Sequence, residues 1–350
     1  MSISADERRT RILEEVQKLG TVRVVELAER IGLPAVTVRR DAAALAEAGL
    51  VRRSHGSVST VTGSADRAAD GPTVGLLVPA AGQYFAEVIA GARAAVAEAG
   101  AQLVLGISSY EASADRVQIE QLLKSGVQGL LLAPNWTPAD HPGDQTWVGE
   151  LPVPAVLVER RPRPGSPAAE LDSVSSDHRH GVLLALRHLS ASGHDRVALA
   201  ARRDTWTAHE IRVGYAEGCE LLGLTAEPVI DILNPGADAE AVAGQLAAAV
   251  ARGVRAVLVH NDQDAIQVLP LLRARGLRVP EDLAVVSYDD VLAALGAPPL
   301  TAVAPPKQAV GAEAVALLLR RIAAADSLPV HHVQLLPTLK VRESCGAAAG

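Results

Sequence analysis

The chain has 350 residues, 49% of them hydrophobic, and its only cysteines are Cys219 and Cys345. That length favours two or three packed units, the lack of an apolar run near the roughly 18 residues of a membrane span argues against a membrane protein, and two thiols supply neither a disulfide framework nor a metal-ligand spacing. The formal charge is -7, yet residues 1–62 hold ten Lys/Arg against eight Asp/Glu, so phosphate contacts are expected from this first segment.

In chain order, Ile12, Leu13 and Val16 give a first helix an apolar stripe, and VVELAERIG makes a second that stops at Gly32. Leu33-Pro34 turns the chain. PAVTVRRDAAALAEAG forms a third helix, opened by Pro34, where a missing N–H does no harm, and closed at Gly49. Val38, Ala42 and Leu45 share one face and pack inward, which leaves Thr37 and Arg40 outward with Arg39 to the side. A recognition helix needs that arrangement, because Arg can bridge guanine and Thr can meet a base edge or a thymine methyl in the major groove. Asp41 would repel phosphate there, so it is expected to pair with an Arg or a backbone N–H. LVRRSHGSV follows as a hairpin that brings Arg52, Arg53 and His55 to the duplex backbone, and small polar residues 58–72 read as a linker.

From Thr73 on, apolar runs alternate with Ala-rich amphipathic stretches: TVGLLVP, helix 86–99, QLVLGIS, helix 114–125, GLLLAP and AVLVE. The order continues with helix 179–192, RVALAA, helix 209–222, PVIDIL, helix 238–252, AVLVH, helix 263–275 and LAVVSYD. Apolar strands bracketed by helices predict an α/β core of two lobes, each a doubly wound parallel sheet.

Only eight aromatic residues are present, and five follow strand ends: Tyr84, Phe85, Trp136, Trp206 and Tyr288. Open α/β sheets bind ligands at those ends, and flat apolar faces beside polar groups suit a sugar ring. Glu159, Arg160, Asp177, Asn261, Asp262 and Asp289 lie at the same ends and could pair with ligand hydroxyls. Asp177 is equally a helix cap or a ligand contact, Asp262 reads better as a cap, Phe85 and Tyr288 also fit a core, and His209 also fits the surface.

VVELAERIGLPAVTVRRDAAALAEAGLVRRSHGSV resembles the winged helix-turn-helix of DeoR-type regulators. The resemblance implies sequence-specific DNA binding through Thr37, Arg39, Arg40 and the wing residues Arg52, Arg53 and His55, although Pro34 stands where the family usually has Ser. Downstream, TVGLLVPAAGQYFAEVIAGARAAVAEAG, GVQGLLLAPN, VPAVLVERR, SSDHRHGVLLALRHLSASGHDRVAL, AVLVHNDQDAI and RARGLRVPEDLAVVSYDD resemble the LacI-type core and its periplasmic sugar-binding relatives. That second resemblance implies a small effector, most often a sugar, held between two lobes, with contacts from Tyr84, Phe85, Arg160, Asn261 and Asp289. It also implies a homodimer and a repressor of operator DNA released by ligand. Gly82 and Gln83 depart from a common Asn-Pro, and His209 stands where many members have Arg. The family's minor-groove hinge helix is absent from residues 58–72, so DNA specificity is expected to rest on the winged helix and the signal to pass through this linker.

The expected domains are a winged helix at 1–57, the linker at 58–72, a core at 73–343 and a tail at 344–350. Within the core, lobe one is expected at about 73–170 and 301–325, and lobe two at about 171–298 and 326–343. No nucleophile elbow, phosphate loop, HExxH or dinucleotide fingerprint occurs, and the pairs His178/His180 and His331/His332 lack the further ligands of a zinc site. The sequence therefore predicts no catalytic residue, metal or cofactor. An α/β enzyme or a sugar-binding protein with an appended DNA-binding domain is the alternative reading. The charged start MSISADERRTR lacks a signal peptide's apolar stretch and predicts a cytoplasmic protein without membrane association.

Overall fold

The computed structural model describes residues 5–19, 21–47, 50–54, 57–60, 71–79, 83–108, 112–136, 142–234, 236–324 and 328–346. At the N-terminus, α1 (Ala5–Leu19) buries Ile12, Leu13 and Val16, the predicted stripe. α2 (Val24–Ile31) ends at Gly32, whose φ of 67° lets its amide turn back to the carbonyls of Ala28 and Glu29. α3 (Ala35–Glu47) starts one residue after Pro34, whose carbonyl accepts the Val38 amide at 3.1 Å. Val38, Ala42 and Leu45 are buried as their spacing predicts.

The wing is larger than a hairpin. β1 (Thr21–Arg23), β2 (Val51–Ser54) and β3 (Ser57–Thr60) form a three-stranded antiparallel sheet in the order β1-β3-β2. Residues 58–60, assigned by composition to the linker, are therefore strand. Val58 anchors them: it is buried, opposite Val22 on one side and Arg53 on the other. Residues 61–70 of the expected linker lie outside the described residues.

The chain divides into two units, one of residues 1–136, 140–175 and 307–333 and the other of residues 137–139, 176–306 and 334–350. In the first, β4 (Thr73–Val78), β5 (Gln102–Ile107), β6 (Gly129–Leu132), β7 (Ala155–Val158) and β8 (Asp172–Ser176) pair in parallel. With β15 (His332–Leu335) at the edge, the order is β15-β8-β7-β6-β4-β5. β6 and β7 are buried at every residue, as strands covered on both faces must be. Beside them run α4 (Gln83–Glu98), α5 (Ala112–Lys124) and α10 (Lys307–Ala324). α4 and α10 approach so closely that a Cβ on Gly91 would lie 1.9 Å from the Gln308 carbonyl oxygen, and one on Gly311 would lie 2.0 Å from that of Val88.

The second sheet contains β9 (Arg196–Arg202), β10 (Thr225–Ala226), β11 (Ile230–Ile232), β12 (Ala256–His260), β13 (Ala284–Tyr288), β14 (Thr301–Ala304) and β16 (Thr338–Lys340). Its order is β10-β9-β12-β13-β14-β16 with β11 also on β9, and only the β14–β16 pairing is antiparallel. Alternation along the strands builds two apolar layers. Val257, Val259 and Val285 pack with Val242 and Leu246 of α8 (Ala239–Ala251) and Leu269 and Leu272 of α9 (Asp262–Ala274). Leu258 and Val286 pack with Val182 and Leu186 of α6 (His178–Ala191) and Ile211 and Tyr215 of α7 (Trp206–Leu222).

Three strand assignments change. β14, expected in lobe one, pairs with β13 in the second sheet through Val286 opposite Thr301, whereas Asp172–Ser175 and β15, expected in lobe two, lie in the first sheet. Composition reveals that a segment is a strand; the partner register that selects its sheet is a long-range property. Among the described residues, no helix is long and apolar enough to cross a membrane.

Candidate functional site

α3 presents a basic surface from a rigid base. Arg39 and Arg40 are exposed and Thr37 is partly buried, while Asp41 is buried on the inner face and accepts a hydrogen bond from Arg8 Nε at 2.8 Å. The acidic group is thus neutralised inside the domain, as its position beside two arginines predicts. Arg53 is exposed on β2. His55 and the side chain of Arg52 lie outside the described residues.

In the first unit, Tyr84 and Phe85 open α4 with their rings edge to face at 5.5 Å. The Tyr84 hydroxyl donates to Glu159 Oε1 at 2.7 Å, and Lys307 Nζ lies 5.6 Å from the Tyr84 ring centre and 3.5 Å from Glu87 Oε1. Glu159 follows β7 in a left-handed conformation, φ 52°, uncommon for a residue with a Cβ. That turn redirects the next residue: the buried Arg160 donates through Nε to the Pro134 carbonyl at 2.6 Å and through Nη1 to the Glu159 carbonyl at 2.8 Å. Phenol, carboxylate and guanidinium, predicted from two strand ends, form one polar constellation.

Sequence reasoning missed its neighbour. Asn135 donates its amide N–H to Asp115 Oδ2 at 2.7 Å and its side-chain Nδ2 to Asp115 Oδ1 at 3.1 Å and Ser108 Oγ at 3.0 Å. Burial pushes the Asp115 carboxyl above its ordinary range, opposed by bonds from Ser108 and Asn135 and by nearby Arg160. Asn135 follows GLLLAP and so carries a strand-end signal, but Asp115 sits inside α5, where sequence offers none. Trp136, 5% exposed, packs edge-on against Trp147 in an apolar cluster with Leu132 and Leu157.

In the second unit, several expected ligand residues serve the helices. Asp177 caps α6 by accepting the His180 amide at 2.9 Å. Asn261 caps α9 through Oδ1, taking the Gln263 and Asp264 amides at 3.1 and 3.4 Å, and this use spares its Nδ2 donor. Asp262, expected as that cap, instead binds the Ser287 hydroxyl and the amides of Val291 and Leu292, holding the loop after β13. Tyr288 is completely buried with its hydroxyl 3.2 Å from His178 Nδ1. Asp289 follows it with φ 94°, and Trp206 and His209 meet at 5.8 Å in the first turn of α7.

A charged cluster completes this unit. Arg202 holds Asp204 through two bonds of 2.9 and 2.7 Å, and Arg212 reaches the Ala201 and Arg202 carbonyls and Asp231. Beside it, burial above all, then Arg202, lowers the His260 imidazole to about 3, whereas burial raises the Asp264 carboxyl to about 6 against the pull of Arg202.

Comparison with known proteins decides the family. Residues 8–63 match a DeoR-like helix-turn-helix domain, and residues 186–345 match a periplasmic binding protein-like domain. The ribose operon repressor of Escherichia coli (strain K12) is 30% identical over 280 residues, covering 78% of this chain and 82% of the repressor. This chain belongs to the LacI-type family of transcriptional regulators. Within that family it carries a DeoR-like N-terminal domain. The HTH-type transcriptional repressor PurR of Vibrio atlanticus (strain LGP32) is 28% identical over 73% of this chain and 75% of its own length. Among solved structures, a transcriptional regulator CelR–cellobiose complex matches 89% of this chain and 90% of its own, with 28% identity and a TM-score of 0.68. The LacI-type regulator is thus a DNA-binding, effector-controlled protein by family, built on the α/β architecture its sequence predicts.

Proposed function

We propose that this regulator is a homodimeric cytoplasmic repressor that reads operator DNA with Thr37, Arg39, Arg40, Arg52, Arg53 and His55 and answers to a sugar. The observation that carries the DNA reading is the division of α3: Arg39 and Arg40 are exposed while Asp41, the acid between them and the domain interior, is buried on Arg8. The sugar reading rests on Tyr84, Glu159 and Arg160, a tight set of hydrogen-bonding groups beside the Phe85 ring. Within the second unit, Asn261 and Asp289 carry polar groups and Trp206 and His209 carry flat rings of the kind a sugar contacts. Two relatives point the same way, one a repressor of a ribose operon and the other a regulator solved as a cellobiose complex. Binding rather than catalysis is the role assigned to all of these groups.

A thermal-shift screen of sugars tests the effector, since a ligand of the native state raises the melting temperature. Selection of duplexes from a random DNA library tests the reader. The account expects at least one sugar to stabilise the protein and the selected duplex to bind far tighter than random DNA. No stabilising sugar, or equal affinity for both DNAs, overturns it.

A further inference from the structure

Among the described residues, the most exposed large apolar side chain is Val36 of α3, at 76%. A β-branched residue is a poorer helix former than alanine, and this one gains almost nothing from burial, so no benefit to the fold explains it. Its neighbours on the same face, three and four positions on, are the exposed Arg39 and Arg40, while Val38, Asp41, Ala42 and Leu45 face the domain interior. An apolar spot flanked by two guanidiniums suits a polyanion that also offers isolated apolar groups. The major groove of DNA is such a surface, because the thymine 5-methyl is its one apolar feature. A protein partner would have to desolvate both arginines to cover one valine.

We infer that Val36 reads a thymine methyl in the operator. The inference rests on the assignment of α3 as the reading helix. Four residues of helix rise about 6 Å, close to two base-pair steps of about 3.4 Å. Val36 therefore places a thymine about two base pairs from the guanine that Arg40 would read, and the half-site should contain that pair at that spacing.

The test uses the full chain and a duplex selected by it from random DNA, with each thymine replaced singly by deoxyuridine, which lacks only the methyl. The wild type should lose about fourfold in affinity at one thymine per half-site, the worth of one buried methyl. Val36→Ala should bind the thymine and uracil duplexes alike at that position, with its helix content unchanged by circular dichroism. If no thymine is sensitive in the wild type, or if Val36→Ala keeps the same sensitivity, the inference is overturned. Arg40→Ala separates the two levels: loss of operator preference in that variant, with methyl sensitivity intact in Val36→Ala, overturns only the Val36 assignment. Full operator preference in Arg40→Ala overturns the assignment of α3 itself.

Discussion

Arg8 and Asp41 join the first and third helices of the reading domain by a 2.8 Å hydrogen bond between Nε and a carboxylate that is almost completely buried. The bond places the acid of the TVRRD segment behind the helix and leaves its two arginines in front. Removing Arg8 leaves the Asp41 carboxylate buried without this bond.

Asp41→Ala should cost roughly 2 to 4 kcal/mol, because it removes one partner of a buried, charge-assisted hydrogen bond. Urea unfolding followed by circular dichroism should show an earlier loss of the N-terminal helices. An unchanged midpoint would mean that the pair contributes nothing to the domain.

Gly311 and Gly244 are both helical but differ in surroundings. A Cβ on Gly311 meets the Val88 carbonyl at 2.0 Å, whereas one on Gly244 meets nothing within 4 Å. Gly311→Ala should destabilise by about 1 to 3 kcal/mol or more through overpacking, and Gly244→Ala should stabilise by about 0.5 to 1 kcal/mol. Thermal unfolding of the two variants should move in opposite directions.

Tyr84→Phe keeps the ring and removes the donor to Glu159 Oε1. A buried carboxylate left without that bond should weaken binding of the stabilising sugar by about 1 to 3 kcal/mol, read by calorimetric titration. Equal affinity would place the sugar elsewhere.

His260 and Asp264 make opposite contributions to stability against pH. The imidazole, lowered to about 3, contributes stability that is present above its ordinary value of 6.5 and lost as pH falls toward 3. The carboxyl, raised to about 6 from 3.8, contributes stability that is present below its ordinary value and lost as pH rises through 6. Between about pH 4 and 6 the two slopes oppose and nearly cancel, because each group differs by close to one proton between the folded and unfolded states. Asp264→Asn should then expose a gain of melting temperature from pH 4 to 6.5 and raise it at pH 7, and His260→Gln should expose a fall. Parallel profiles for all three proteins would contradict the burial of these groups.

How much of this was legible in the sequence depended on the range of the interactions. The stripe of Ile12, Leu13 and Val16 and the stop at Gly32 are local and appear where periodicity puts them. Thr21–Arg23 is too short to show a period, and only its pairing with Ser57–Ser59 makes it a strand. At the strand ends, residue type announced polarity but not occupation. Asn261 and Asp262 are adjacent and both able to cap, and the amides of Val291 and Leu292 decide between them from almost thirty residues away. Tyr288 and Trp136 follow strands as ligand-stacking rings do, yet each is enclosed by a partner, His178 or Trp147, that sequence distance conceals.

The central claim is that the sugar and the operator are coupled through one protein, and reciprocal titration tests it most directly. Operator affinity is measured with and without a saturating amount of the stabilising sugar, and sugar affinity with and without saturating operator. The account predicts a change of about tenfold or more in both, equal in size because linkage is reciprocal. Identical affinities in the presence and absence of the other ligand would contradict it.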